Sequence, residues 1–95
     1  RAPMVGHMGD GNFHVVLPYD PAKKEMYKQI RAFNDTLIRK ALELNGTITG
    51  EHGVGLHKKE YLLEQHPDNI PVMKSIKRTL DPNNIMNPGK IFDLN

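Results

Sequence analysis

The sequence predicts an α+β domain, a small antiparallel sheet with packed helices, on three observations. A β-compatible run, Phe13 to Leu17, follows an Asp10-Gly11 turn signal and is stopped by Pro18. One apolar stripe at helical spacing occupies positions 26–44. Two shorter helical segments and an irregular tail rich in turn residues fill the remainder. The chain has 95 residues, the length of one module by the usual prior of roughly 100–200 residues per domain. A chain of this size buries about 60–65% of its unfolded surface, so a modest core is expected.

Taken in order, Asp10-Gly11 favours a two-residue type I′ hairpin loop. Such a loop sets Gly9 opposite Asn12, Met8 opposite Phe13 and His7 opposite His14. The period-2 rule then sends Phe13, Val15 and Leu17 to one face and Asn12, His14 and Val16 to the other. Asp20 offers an N-cap with Pro21 at the first helical position. Met26, Ile30, Phe33, Leu37, Ala41 and Leu44 recur at helical spacing, while Lys24, Lys28, Arg31, Asp35 and Arg39 line the opposite face. The reading is a helix over about 22–45 that packs this stripe on the strands and ends in a left-handed cap at Asn45-Gly46. Thr47-Ile48-Thr49 reads as a strand end. Gly50 to Gly55 is irregular, because each glycine inside a regular element costs about 0.5–1 kcal/mol relative to Ala. Helices are expected over 58–65 and from near 69–71 to Leu80, the second ended by Asp81-Pro82.

Composition excludes several classes. Thirteen Lys and Arg against eleven Asp and Glu leave a formal charge of +2, with the basic pairs spread among acids. That pattern does not describe a nucleic-acid surface. The absence of Cys rules out disulfides, thiolate catalysis and Cys-ligated zinc. No apolar run is long enough for a transmembrane segment. RAPMVG has no apolar core of the signal-peptide kind, which leaves a cytoplasmic or peripheral membrane location. The stretch also lacks an initiator Met, and the chain is expected to be a C-terminal fragment of something longer.

Two clusters carry chemistry. In Gly6-His7-Met8-Gly9-Asp10-Gly11-Asn12-Phe13-His14 the hairpin brings His7 and His14 onto one polar face, where neutral imidazoles suit a divalent metal. Any two histidines on a polar face are more often simply solvated; three glycines in six residues around a turn favour a site. In Gly50-Glu51-His52-Gly53-Val54-Gly55 a carboxylate stands beside an imidazole, and neighbouring side chains point different ways. A third metal ligand and a free general base are one division of labour for them; an exposed Gly-rich turn is the other reading. His57 and His66 read as solvated.

Three pieces, GHMGDGNFH (6–14), GTITGEHGVG (46–55) and LDPNNIMNPGKI (80–91), together resemble the C-terminal domain of FAD-linked 2-hydroxy-acid oxidoreductases. That group, with D-lactate dehydrogenase and the FAD subunit of glycolate oxidase, lies in the vanillyl-alcohol-oxidase flavoprotein superfamily. The resemblance covers essentially the whole chain, and the order of the three motifs is what makes it specific. It implies part of a ferredoxin-like cap domain over 1–95, with the FAD-binding domain of the same chain absent. It implies metal ligation by His7, His14 and Glu51, with zinc, manganese or iron compatible. His52 matches the general base, Asn12 a substrate-binding position, and Asn87 and Lys90 a tail that returns toward the flavin. In the 2-hydroxyglutarate branch a substrate-contacting Asn stands two residues after the second metal His. Val16 holds that place here, which points to lactate or glycolate.

The implied activity is oxidation of a small D-2-hydroxy acid to the 2-keto acid, with FAD and a divalent metal as cofactors. An electron-acceptor subunit, or a quinone or cytochrome, is the implied further partner. The isolated chain is expected to be inactive and to bind metal weakly. The rival readings are a stand-alone His₂Glu metal hydrolase and a non-catalytic cap or subunit-contact module. The ether-lipid synthases of the same superfamily carry a His-rich motif that differs from GEHGVG.

Overall fold

The computed structural model describes residues 2–95. In chain order they form β1 (Met4–His7), a 3₁₀ turn (Met8–Asp10), β2 (Asn12–Val15) and three helices, α1 (Lys24–Glu43), α2 (Lys59–Gln65) and α3 (Ile70–Leu80). An antiparallel two-stranded sheet with three helices is the α+β class expected. The chain gathers into two compact units, residues 1–51 and 52–95.

In the first unit β1 and β2 pair in the register Met4–Val15, Val5–His14, Gly6–Phe13 and His7–Asn12. This corrects the two-residue loop. Met8, Gly9 and Asp10 wind into the 3₁₀ turn, and Gly11, at φ 73°, closes it with its amide on the Met8 carbonyl at 3.0 Å. A left-handed residue costs glycine nothing, so the turn takes Gly11 as its last position rather than as half of a type I′ pair. His7 therefore opposes Asn12, not His14. The partner has moved by two residues, and two is the side-chain period of a strand. His7 and His14 consequently stay on one face, as diagonal neighbours roughly 7–8 Å apart at the backbone.

Helix α1 contains neither Gly nor Pro and only three β-branched residues, Ile30, Thr36 and Ile38. It begins later than Asp20-Pro21 implies. The Asp20 side chain accepts from the Ala22 amide at 3.0 Å, and the Lys23 amide bonds to the Asp20 carbonyl at 2.9 Å. Asp20 thus serves a turn of its own, a common competitor of helix capping, and Lys23 takes the N-cap place. The other end is a Schellman motif: Gly46 N–H bonds to Ala41 C=O at 2.7 Å, Asn45 N–H bonds to Leu42 C=O at 3.0 Å, and Asn45 is left-handed at φ 62°.

The expected apolar stripe is only partly covered, with Ile30, Leu37 and Ala41 half-buried. Ile38, outside the stripe, is the buried residue of α1, while Met26, Phe33 and Leu44 are exposed. The strands pack on each other and on the 3₁₀ turn, and α1 makes no comparable contact with them, so the expected packing of the stripe on the strands is not found. Thr47–Thr49 is irregular chain and not a strand end, yet it buries Ile48.

In the second unit Leu62 of α2 and Ile70 of α3 are the buried apolar side chains. Asn69 precedes α3, Pro71 sits in its first turn, and Lys77 and Arg78 occupy its last turn, where cations complement the helix dipole. Asp81 ends α3 and is itself buried. Its carboxylate accepts from the Ile85 amide at 3.0 Å and the Met86 amide at 2.9 Å, and it pairs with Lys77. The Lys77 ammonium, with help from the two amides, holds the Asp81 carboxyl down to about 2. His57 is exposed as expected, whereas His66, at the end of α2, is half-buried.

Candidate metal and substrate site

The first unit collects its polar side chains on one carboxylate oxygen. Val5, His7, Asn12 and His14 share a face of the hairpin by their pairing, and Glu51, the last residue of the unit, lies over that face. His14 Nε2 stands 2.8 Å from Glu51 Oε1, Asn12 Nδ2 donates to the same oxygen at 3.0 Å, and His7 Nε2 lies 4.0 Å from it. His14 is the most covered of the pairing groups, with a side chain 27% exposed against 44% for Glu51 and 69% for His7. The polar face of β2 is thus half-buried, while Phe13 on the opposite face is exposed.

Gly50 makes the approach possible. A β-carbon at this position would lie 2.8 Å from Asn12 Cγ and collide with the Asn12 carboxamide. Any side chain there would push Asn12 off Glu51. Sequence reading took the glycines of this loop as a group; only the structure singles out Gly50.

Two imidazole nitrogens and a carboxylate are a donor set for a borderline divalent ion. In a tetrahedral site with metal–ligand distances of about 2.0–2.1 Å the donor atoms lie about 3.3 Å apart. The His14–Glu51 and His7–Glu51 separations, 2.8 and 4.0 Å, fall on either side of that value. His14 and Glu51 stand within reach of one ion, whereas His7 does not join them in a compact donor group. The residue types fit a divalent ion, and the His7 ring would have to swing in to complete the set. Asn12 would then hold the ligand carboxylate from outside, the usual task of a neighbour that orients a metal ligand.

The remaining sequence-predicted residues lie in the second unit. His52 is its first residue, exposed and covalently next to Glu51. Asn87 and Lys90 are exposed and bound a turn in which the Lys90 amide bonds to the Asn87 carbonyl at 3.3 Å, with Asn87 left-handed at φ 46°. Sequence reasoning passed over Lys59, whose ammonium reaches the Gly89 carbonyl at 3.1 Å inside that turn and Asp93 at 2.9 Å. It also treated Asp81 only as a helix stop. The role of Lys59 leaves no local sequence signal, since its partners lie 30 and 34 residues away. The partners of Asp81 are local, Lys77, Ile85 and Met86 standing four or five residues from it.

No helix among the described residues is long and apolar enough to cross a membrane. The family model for the C-terminal domain of FAD linked oxidases matches residues 1–91. A probable mitochondrial D-lactate dehydrogenase of Danio rerio is 47% identical over 93 residues, which cover 97% of this chain and 19% of that protein. The mitochondrial D-lactate dehydrogenase [cytochrome] of Arabidopsis thaliana is 46% identical over 90 residues, 94% of this chain and 16% of that protein. Glycolate oxidase subunit GlcD of Bacillus subtilis is 44% identical over 88 residues, 92% and 19% of the two chains. The chain therefore spans less than a fifth of the length of each of these relatives. With the match running nearly from end to end and the three motifs falling inside it, the chain belongs to the C-terminal domain family of FAD linked oxidases.

Proposed function

We propose that this chain forms the metal and substrate end of a flavin-dependent oxidoreductase that converts a small D-2-hydroxy acid, lactate or glycolate, into its 2-keto acid. The observation that carries the reading is the convergence of His14, Asn12 and His7 on Glu51 Oε1 in a chain of this family. Relatives named D-lactate dehydrogenase and glycolate oxidase support the substrate class. A relative named D-2-hydroxyglutarate dehydrogenase, from Stutzerimonas stutzeri, is 42% identical. Val16, apolar and exposed, offers no hydrogen bond to a second carboxylate, so the monocarboxylic acids are preferred.

His7, His14 and Glu51 would hold the ion. When bound, a divalent metal supplies Lewis acidity toward the 2-hydroxyl and the flavin supplies the acceptor for the α-hydrogen and its electron pair. His52 takes the hydroxyl proton, which it can do only as the neutral imidazole and within about 2.6–3.2 Å of that oxygen. Asn12 orients Glu51 through its amide N–H, and its carboxamide borders the place where substrate binds. Asn87 and Lys90 present the tail turn toward the flavin, which the FAD-binding domain of the same protein holds.

An assay of the full-length protein with an artificial electron acceptor tests the proposal. D-lactate or glycolate should reduce the acceptor, with 2-keto acid formed in equal amount. Hydrolysis of ester or amide substrates without acceptor reduction would instead establish the His₂Glu hydrolase.

A further inference from the structure

The second unit ties two of its motifs together through one lysine. Lys59, the first residue of α2, has a side chain only 26% exposed. Its ammonium donates to the Gly89 carbonyl at 3.1 Å and to Asp93 at 2.9 Å. The next residues of the tail meet the Gly-rich loop directly, for Ile91 N–H bonds to Gly55 C=O at 2.8 Å. Ile91 sits at φ 71°, a region that β-branched residues almost never enter. Such a conformation persists only where the surroundings over-determine it, and the contacts on either side of Ile91 are the Lys59 bonds to Gly89 and Asp93.

We propose that Lys59 is a positioning residue that clamps the Asn87–Lys90 turn, and through Ile91 the Gly53–Gly55 segment, into one piece. Asp93 is 70% exposed, and an ion pair in that setting contributes little. The half-buried bond from the ammonium to the Gly89 carbonyl is the stronger hold, being charge-assisted. The clamp joins the segment just after His52 to the turn that carries Asn87 and Lys90. Its value for catalysis rests on the roles proposed above for those three residues; its existence does not.

Amide exchange in the isotopically labelled chain reads the clamp without any activity assay. In Lys59→Met the Ile91 amide should exchange about tenfold faster, the scale of one lost charge-assisted bond, with the amides of Gly53 and Gly55 perturbed as well. Lys59→Arg should restore most of the protection, and Asp93→Asn should change it less than Lys59→Met does. The amides of α3 should be unmoved. Unchanged Ile91 exchange in Lys59→Met would overturn the proposal, and so would equal acceleration across α2 and α3, which would make Lys59 a general stabiliser. In the full-length protein Lys59→Met should lower kcat with KM nearly unchanged and metal content intact. Full activity in His52→Ala would refute the catalytic reading while leaving the exchange result standing.

Discussion

His14 Nε2 and Glu51 Oε1 lie 2.8 Å apart although 37 residues separate them in the chain. That contact closes the first unit on itself, with the loop after α1 returning to the polar face of the hairpin. A ring nitrogen that donates to Glu51 would exchange its proton for a metal, and Glu51 would exchange a hydrogen bond for a coordinate bond.

The contact bears on whether the chain binds metal alone. A Gly-rich loop suggests a mobile Glu51, and ordering a residue's backbone costs about 1–2 kcal/mol. In the structure Glu51 is already held by His14 and Asn12, so the folded chain has met that cost. Titration of the 95-residue chain with zinc should show one site, weakened at least about tenfold by His14→Ala. Equal affinity in the two proteins would place zinc elsewhere.

Gly50→Ala should disturb the same site without touching a ligand. The new methyl would displace the Asn12 carboxamide and leave Glu51 without its orienting bond. Loss of such a supporting contact typically costs 10–100-fold in metal affinity, and Asn12→Ala should reproduce it. Zinc affinity unchanged in both variants would show that Asn12 does not orient Glu51.

Burial ranks the positions of α1 differently from the periodicity. Ile38→Ala should cost about 2–5 kcal/mol, the range for a buried aliphatic. Leu37→Ala, at a half-buried position, should cost less, and Phe33→Ala, at a residue 47% exposed, less again. Urea denaturation of the three variants checks the order; a Phe33→Ala loss equal to that of Ile38→Ala would reverse it.

Much of this was legible in the sequence, and the gaps have physical causes. The 20-residue helix α1 announced itself by period, and α2 and α3 by their Pro and Asp punctuation. What period cannot say is how far the rest of the chain reaches along an apolar face, which is why Ile38 and not the stripe carries the burial. At the hairpin, Asp10-Gly11 marked the turn correctly but not its length, because a 3₁₀ turn through Met8–Asp10 competes with the two-residue loop. The shared face of His7 and His14 survived that error only because the partner shifted by an even number of residues. Glu51 and His52 stood out as residue types, yet their neighbours in space could not be read, and Gly50 and Lys59 were invisible for the same reason.

Acid should weaken the second unit through Asp81. Its carboxyl titrates near 2 in the folded protein against an ordinary value of 3.8. The folded state therefore holds fewer protons in that interval, and the stabilisation by Lys77 and the two amides is fully present above about 4. It is lost progressively as pH falls from there through 2. Thermal unfolding between pH 5 and pH 2 should show this loss, and Asp81→Asn should flatten that part of the profile while lowering stability at pH 5. An identical acid slope in Asp81→Asn would show that another carboxylate carries it.

The proposed function divides labour between neighbours, with Glu51 joining His7 and His14 on a metal and His52 left free to take a proton. Metal content and turnover measured together in variants of the full-length protein test it most directly. His52→Ala should keep its metal and lose about 10²–10⁴ in kcat, the span for a lost acid–base group. His14→Ala and Glu51→Ala should lose metal and activity together. If His52→Ala strips the metal while Glu51→Ala retains it, the roles of the two residues are reversed and the account is wrong.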